Sequence, residues 1–308
     1  MRLGLFLPVI DGLHGQPWLP RWPELRELAR LAEDVGFDTL FVPDHLLLRG
    51  SPYWGFLENE SRGTWEAWTL LAALAEATTT LELGPYVSAS SFRQPTLLAK
   101  MAATLDEVSG GRLILGLGSG SHRPEYTAFG YPWDHLASRF DEALQVLVPL
   151  LREGHVDFQG RFYQARDCEL LPRGPRPTGP PIWVAAFGPR LMRLAARFAD
   201  AFNTSWHTDP RALAAPFAAL DAACQAVGRD PQSIARTIGT FIVLDETQAS
   251  GRPARDGLRG PPEQLADHLQ TLEVAGASHI TCLLVPPDAR GVERFARVIE
   301  LVRRGMGR

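Results

Sequence analysis

The chain has 308 residues, 45% apolar and 21% charged, with a net charge of -4, an ordinary globular balance that suits one large α/β barrel or two smaller domains. That charge gives no electrostatic case for nucleic acid, and no apolar run reaches the roughly 18 residues of a membrane span. The N-terminal MRLGLFLPVI lacks the parts of a signal peptide, and Cys168, Cys224 and Cys282 are far apart with no CxxC; a cytoplasmic protein without a disulfide framework or metal site is expected.

Apolar runs of strand type alternate with amphipathic stretches along the whole chain. The sequence predicts a strand at 3–9 and a helix at 23–35 that stops at Gly36. Strand 39–42 leads through a long aromatic loop (45–64) to helix 65–77. Strand 81–87 precedes helix 96–108, which Gly110-Gly111 ends at positive φ. The continuous apolar strand 113–117 has the pattern of burial on both faces and precedes helix 136–151. The pairs 182–186 and 190–198, 201–204 and 211–227, 238–244 and 262–275, and 280–285 and 292–303 complete the series. Eight such repeats predict a (β/α)8 barrel; a doubly wound open sheet is the alternative, but no GxGxxG follows the first strand. Three connections are long. Residues 45–64 and 245–260 follow strands and read as lids or as neutral insertions. Residues 153–181 contain VDFQGRFYQ, with the pattern of a small hairpin, before a proline-rich stretch.

Barrel sites lie at the carboxyl ends of the strands. There the sequence places Asp44-His45, then Ser88, Ser90 and Ser91, then Gly118-Ser119-Gly120-Ser121-His122. Ala186-Phe187-Gly188-Pro189-Arg190 and Ser205-Trp206-His207 follow. Small residues, backbone amides and aromatics dominate, and carboxylates are few. That set suits a large planar, anionic cofactor better than a metal cage or a glycosidase carboxylate pair. The glycines at 116, 118 and 120 are expected to let a ligand approach the backbone. His45 can move a proton near neutral pH with Asp44 to orient it; a structural histidine is the competing reading. The stretch 185–190 reads equally as an anion site or as an ordinary proline-capped helix start. Lys100 is the one lysine and sits mid-helix, poorly placed for Schiff-base chemistry.

The segments GFDTLFVPDHLL (36–47), TTTLELGPYVSASSFRQPTLLAKMAATLDEVSGGRLILGLGSG (78–120), EYTAFGYP (125–132), SRFDEALQVLVPLL (138–151) and PPIWVAAFGPRLMRLAARFADAFNTSW (180–206), taken in this order, resemble the luciferase-like monooxygenase superfamily of flavin- and deazaflavin-dependent barrels. The resemblance implies one TIM-barrel domain over 1–308 that binds reduced FMN or coenzyme F420 at its carboxyl face. It places His45 beside the reactive ring with Asp44 close by, and Glu66 near the pocket floor as a third catalytic candidate. Tyr86-Val87 matches a non-prolyl cis peptide behind the ring. Tyr86, Val87, Ser88, Gly118, Ser119, Gly120, Ser121 and Tyr126, with Ala185, Ala186, Phe187, Gly188, Pro189 and Arg190, are the expected cofactor contacts. Tyr53, Trp54 and Phe56 of the aromatic loop, with Trp206, are the expected contacts to an apolar or ring-containing substrate. A reduced-FMN monooxygenase served by a separate reductase is placed first. An F420-dependent hydride-transfer enzyme is the alternative, and a non-catalytic barrel subunit the reading of another class. Relatives of this kind are commonly homodimers.

Overall fold

A computed structural model describes residues 1–13, 19–51 and 54–305; Tyr53 lies outside them. Eight parallel strands form the centre: β1 (Arg2–Phe6), β2 (Thr39–Val42), β3 (Glu82–Pro85), β4 (Leu115–Gly118), β5 (Ile182–Ala185), β6 (Ala201–Ser205), β7 (Ala235–Val243) and β8 (His279–Val285). Hydrogen bonding runs in the order β3-β2-β1-β8-β7-β6-β5-β4. The ring closes because β3 is split. Its first half pairs with β2, and its continuation, Ser88–Ala89, pairs with β4, while Leu83 bridges Leu113 below. Tyr86-Val87 sits at the split and is a cis peptide, as the resemblance implied. The (β/α)8 barrel is therefore the fold, and the open sheet with two free edges is not.

The helices are α1 (Trp22–Val35), α2 (Ala67–Ala77), α3 (Pro95–Val108), α4 (Arg123–Phe129), α5 (Leu136–Arg152), α6 (Gly188–Phe198), α7 (Ala214–Ala226), α8 (Gly251–Asp256), α9 (Pro262–Val274) and α10 (Ala289–Gly305). The first shows why the sequence starts and stops them where it does. Proline occupies the first turn, the Glu24 carboxylate accepts from the Arg21 amide, and Gly36 ends the helix at φ 94°. The short α4 and α8 follow strands β4 and β7 and were not visible as periodic stretches. The expected hairpin forms between His155–Gln159 and Gln164–Glu169; it precedes β5, so it lies away from the carboxyl face.

Strand alternation makes two cores. Leu3, Leu5, Leu40, Leu83, Leu115, Val184 and Ile280 point outward and meet the apolar stripes of the helices. Phe6, Phe41, Tyr86, Trp183, Trp206 and Phe241 point inward and fill the barrel. Phe41 centres its ring 5.2 Å from both Tyr86 and Trp183, and Trp206 stacks on Phe241 at 4.8 Å. The barrel is thus plugged by aromatics, and a ligand can only sit on top of them.

Glycines hold the β3–β4 seam together. A Cβ at Gly84 would lie 2.0 Å from the Ile114 carbonyl oxygen, and one at Gly116 would lie 2.2 Å from the Pro85 carbonyl oxygen. This corrects part of the sequence expectation: the bare backbone at 116 admits the neighbouring strand, not a ligand. Gly84→Ala is expected to destabilise the fold by about 1–3 kcal/mol, because the obstacle is backbone that cannot rotate away. Gly63→Ala, where no other described residue lies within 4 Å, is expected to cost less than about 0.5 kcal/mol; urea unfolding midpoints of the two variants test the contrast.

The turn from α2 into β3 adds a pH dependence. Glu33 of α1 accepts from the amides of Thr79, Thr80 and Leu81 and from the Thr80 hydroxyl. Burial opposes its ionisation, but these donors outweigh it and bring its pKa from 4.5 down to about 2. A depressed carboxyl stabilises the fold above its unfolded pKa and loses that contribution as pH falls. Glu33→Gln should therefore lower Tm at pH 7, and the gap to wild type should shrink as pH falls from 4.5 towards about 2; a gap independent of pH in thermal melts would refute this role.

Candidate active site

A cavity of about 550 Å³ opens on the carboxyl face above the aromatic plug, inside the roughly 300–1,000 Å³ range of cofactor and ligand sites. Loops after β2, β3, β4, β5, β6 and β7 supply its walls. His45, Tyr86, Val87, Gly118, Ser119, Gly120, Ser121, Ala185, Phe187, Trp54 and Trp206 all line it, as does Asp44. The structure thus gathers most of the candidates from five of these loops into one cleft.

His45 is held by a carboxylate that sequence reasoning did not assign. Its Nδ1 lies 2.9 Å from Glu125 Oε1, and the other oxygen, Oε2, accepts from the backbone amides of Leu46 and Leu47. Glu125 is buried on the first turn of α4. A carboxylate that already accepts two amides accepts from the imidazole too, so Nδ1 carries the proton. That leaves the Nε2 lone pair as the basic position of the neutral ring. A histidine oriented this way can take a proton from a bound molecule and return it, the carboxylate stabilising the cation between the two steps.

Asp44, expected to orient His45, turns the other way. Its side chain is fully buried. Oδ2 accepts from Ser88 Oγ at 2.6 Å and from Arg93 Nη1 at 2.6 Å, and Oδ1 accepts from Arg93 Nη2 at 3.1 Å. The physical reason is charge. A buried carboxylate demands a permanent cation, and the guanidinium fork satisfies it better than a titrating imidazole. Burial alone would lower the Arg93 pKa, but Asp44 and Glu66 together raise it.

Glu66 is also reassigned. It is the N-cap of α2, accepting from the amides of Trp68 and Thr69, and it accepts from Arg93 Nη2 at 2.6 Å. Burial opposes its ionisation, but the bonds from Thr69, Arg93 and Trp68 outweigh it and hold the carboxyl below its usual range. A carboxylate so held is a poor proton carrier, and it is not among the cavity-lining residues.

Other candidates support the site from behind. Ser88 is fully buried, donating to Asp44 and accepting from Trp68 Nε1 at 3.1 Å. Tyr126 is fully buried beneath the Ser119–Ser121 turn: a Cβ on Gly120, which has φ +90°, would fall 1.8 Å from its hydroxyl. Burial pushes the Tyr126 pKa up, so it stays neutral. Ala186 packs in the outer core, and Phe56 in the inner one beneath the Arg62 guanidinium. Gly188, Pro189 and Arg190 lie on the first turn of α6 outside the cavity lining, and Arg190 donates to Ser138 Oγ at 2.8 Å. The anion reading of 185–190 thus finds its cavity contacts at Ala185 and Phe187 and not at the arginine.

Further residues enter the lining: Asn203 and Arg252, to which the sequence gave no role, and His122, which it placed at the carboxyl end of β4. Asn203 donates to Tyr86 Oη at 2.8 Å and to Thr237 Oγ1 at 2.9 Å, fixing the Tyr86 ring. His122 faces the cavity beside His45, ring centres 6.3 Å apart. The Arg49 amide donates to His122 Nε2 at 3.1 Å, which leaves the proton of the neutral ring on Nδ1. Burial and the nearby His45 lower the His122 pKa against the pull of Glu125, so its neutral form is favoured. Arg252 reaches the cavity from α8. The signal for Glu125 lay inside EYTAFGYP, but nothing local ties it to His45, 80 residues earlier.

The Asp44–Arg93 pair generates a stability prediction. Arg93→Ala strands a buried carboxylate and is expected to cost about 3–5 kcal/mol. The double variant Asp44→Ala/Arg93→Ala is expected to cost less than Arg93→Ala alone, as read by urea unfolding. Additive losses would show that the two groups do not depend on one another.

Comparison with known proteins agrees with this architecture. The family model described as luciferase-like monooxygenase matches residues 1–259. A pyrimidine monooxygenase RutA of Rhizobium rhizogenes is 32% identical over 295 residues, covering 90% of this chain and 76% of its own. A phthiodiolone/phenolphthiodiolone dimycocerosates ketoreductase of Mycobacterium sp. (strain JLS) is 34% identical over 225 residues, 68% of this chain. The chain spans only 58% of that ketoreductase. Among solved structures, an F420-dependent secondary alcohol dehydrogenase in complex with an F420-acetone adduct superposes with a TM-score of 0.80 at 20% identity, covering 98% of this chain and 99% of that one; this likeness is one of fold. The chain belongs to the luciferase-like monooxygenase family.

Proposed function

We propose that the protein is an oxidoreductase that binds a tricyclic isoalloxazine-type cofactor in the carboxyl-face cavity, with reduced FMN first, and acts as a monooxygenase on a small organic substrate. One observation carries the reading: His45, backed by the buried Glu125, faces a cavity whose walls are the Tyr86-Val87 split, the Ser119–Ser121 turn and the Ala185–Phe187 loop. The cavity fits such a group. It is floored by aromatics, roomy enough for a flat ring with a second molecule, and edged by the bare backbone of Gly118 and Gly120. The length of the match to pyrimidine monooxygenases supports placing reduced FMN first; a separate reductase would then supply the reduced cofactor.

When bound, the cofactor supplies the electrons, delivered to O2 in the FMN case or as a hydride in the F420 case. The chain supplies the rest. Tyr86, fixed by Asn203, and Val87 back the ring. Trp54 and Trp206 keep water from the reacting face. His45 Nε2 exchanges the proton, and Glu125 holds its tautomer. A second reading, F420-dependent hydride transfer between an alcohol and a carbonyl, is favoured by that same His45–Glu125 pair, since such a reaction moves one proton for each hydride. The ketoreductase relative is in keeping with it.

Titration of the protein with FMN, reduced FMN and F420 by fluorescence quenching distinguishes the readings. Preference for reduced FMN is the expected result, preference for F420 selects hydride transfer, and binding of none of the three overturns both in favour of a non-catalytic barrel. With a substrate in hand, His45→Ala and Glu125→Gln should each lower kcat by about 10²–10⁴ while leaving cofactor affinity little changed. Unchanged kcat in both variants would remove the proton-transfer role.

A further inference from the structure

We infer that the substrate of this site is an organic anion, a carboxylate carried on a flat, apolar or aromatic body, and that Arg252 is the residue that selects it. The inference rests on the cofactor reading above for the identity of the other occupant, and on the distribution of charge in the cavity for its own support.

The negative charges in the lining are already compensated. Asp44 is paired with Arg93, and Glu125 accepts from His45 and two backbone amides. Among the described residues that line the cavity, Arg252 is the one permanent cation. Its Nε pairs at 3.1 Å with Asp256, a half-exposed carboxylate one turn along the same short helix. Nη2 donates to the Trp206 carbonyl at 3.4 Å, which ties the guanidinium to the aromatic wall. A guanidinium has five N–H donors in a fork that matches a carboxylate. His207 next to this wall has its pKa lowered, by burial first and then by the Arg252 charge, in keeping with a positive potential on that side.

The body of the ligand is read from the surfaces around the cation. Trp54 lies edge-on to Trp206 at 6.1 Å and stacked with Phe6 at 6.2 Å. Leu48 completes an apolar wall. Leu48, Trp54, Trp206 and Arg252 come from the loops after β2, β6 and β7, whereas the Ser119–Ser121 and Ala185–Phe187 contacts expected for the cofactor come from the loops after β4 and β5. The two long loops also meet: a Cβ on Gly55 would lie 3.3 Å from the Gly251 Cα, so the segment carrying Trp54 abuts the segment carrying Arg252. An aromatic slot with a cation at its rim orients a flat anion, leaving its other end for His45.

Benzoate and its neutral isostere benzamide test this, titrated by calorimetry into wild type, Arg252→Gln and Arg252→Lys, each alone and with saturating FMN. Wild type should bind benzoate about tenfold or more tighter than benzamide, the ratio expected for a charge-assisted contact. The ratio should fall to about one in Arg252→Gln and recover in part in Arg252→Lys, which keeps the charge and loses the fork. A ratio near one in wild type, or a preference that survives in Arg252→Gln, overturns the inference. So does a tenfold or greater loss of FMN or F420 affinity in Arg252→Gln with the benzoate preference intact, which would give the guanidinium to the cofactor's phosphate. Because the titrations on protein alone do not need the cofactor, failure of FMN to bind is read separately from failure of this proposal.

Discussion

The site depends on the buried contact between Asp44 and Arg93. A carboxylate with no exposed surface costs several kcal/mol unless a cation and hydrogen bonds meet it, and here one guanidinium and one serine hydroxyl do so. Arg93 lies between the continuation of β3 and α3, Asp44 at the end of β2, and Glu66, its other partner, at the head of α2. One cation thus fastens both ends of the β2–α2 connection to the β3–α3 connection at the rim of the cleft. Because Asp44 is used in this way, its neighbour His45 takes its carboxylate from α4 instead. The structural ion pair and the proton-carrying pair stand side by side and share no atoms.

That separation matters for chemistry. A histidine bonded to a carboxylate already locked to an arginine would gain little stabilisation for its protonated form. Glu125, by contrast, is met by neutral backbone amides and by His45, so its negative charge acts on the imidazole. Nearby rigidity comes from packing. Tyr126 beneath Gly120 touches Phe92 at 4.9 Å and Trp133 at 5.0 Å, and this cluster supports the Ser119–Ser121 turn against which a ligand would lie.

What the sequence made legible follows the range of each signal. Strand and helix alternation is local and recurs eight times, so the barrel and the carboxyl-face location of the site could be read directly. So could His45, Ser119, Gly120 and Trp206, which sit at strand ends. The partners of those residues could not. Glu125 and Arg93 act on His45 and Asp44 across 80 and 49 residues, and no periodicity records a contact that the fold creates. The α4 and α8 helices, of seven and six residues, are too short to show a hydrophobic period, which hid both Glu125 and Arg252. Glu66 is a different case. Glutamate is not among the residues that ordinarily cap helices, so its acceptance from the Trp68 and Thr69 amides is seen only in the structure.

The glycines show why a correct pattern can carry the wrong meaning. A bare backbone in a strand marks a close approach, and sequence cannot say whether a ligand or another strand makes it. At Gly84 and Gly116 the neighbour is the chain itself, because a split strand must pass its pairing from β2 to β4 within four residues and the two backbones draw together at the seam. At Gly118 both meanings hold. A Cβ there would lie 2.8 Å from Val87, and the residue also faces the cavity. The split that lets the barrel close is thus the same feature that turns Tyr86 and Val87 into a wall of the site. In this chain barrel closure and the binding surface are one construction, so substitutions at the seam should disturb folding and ligand binding together.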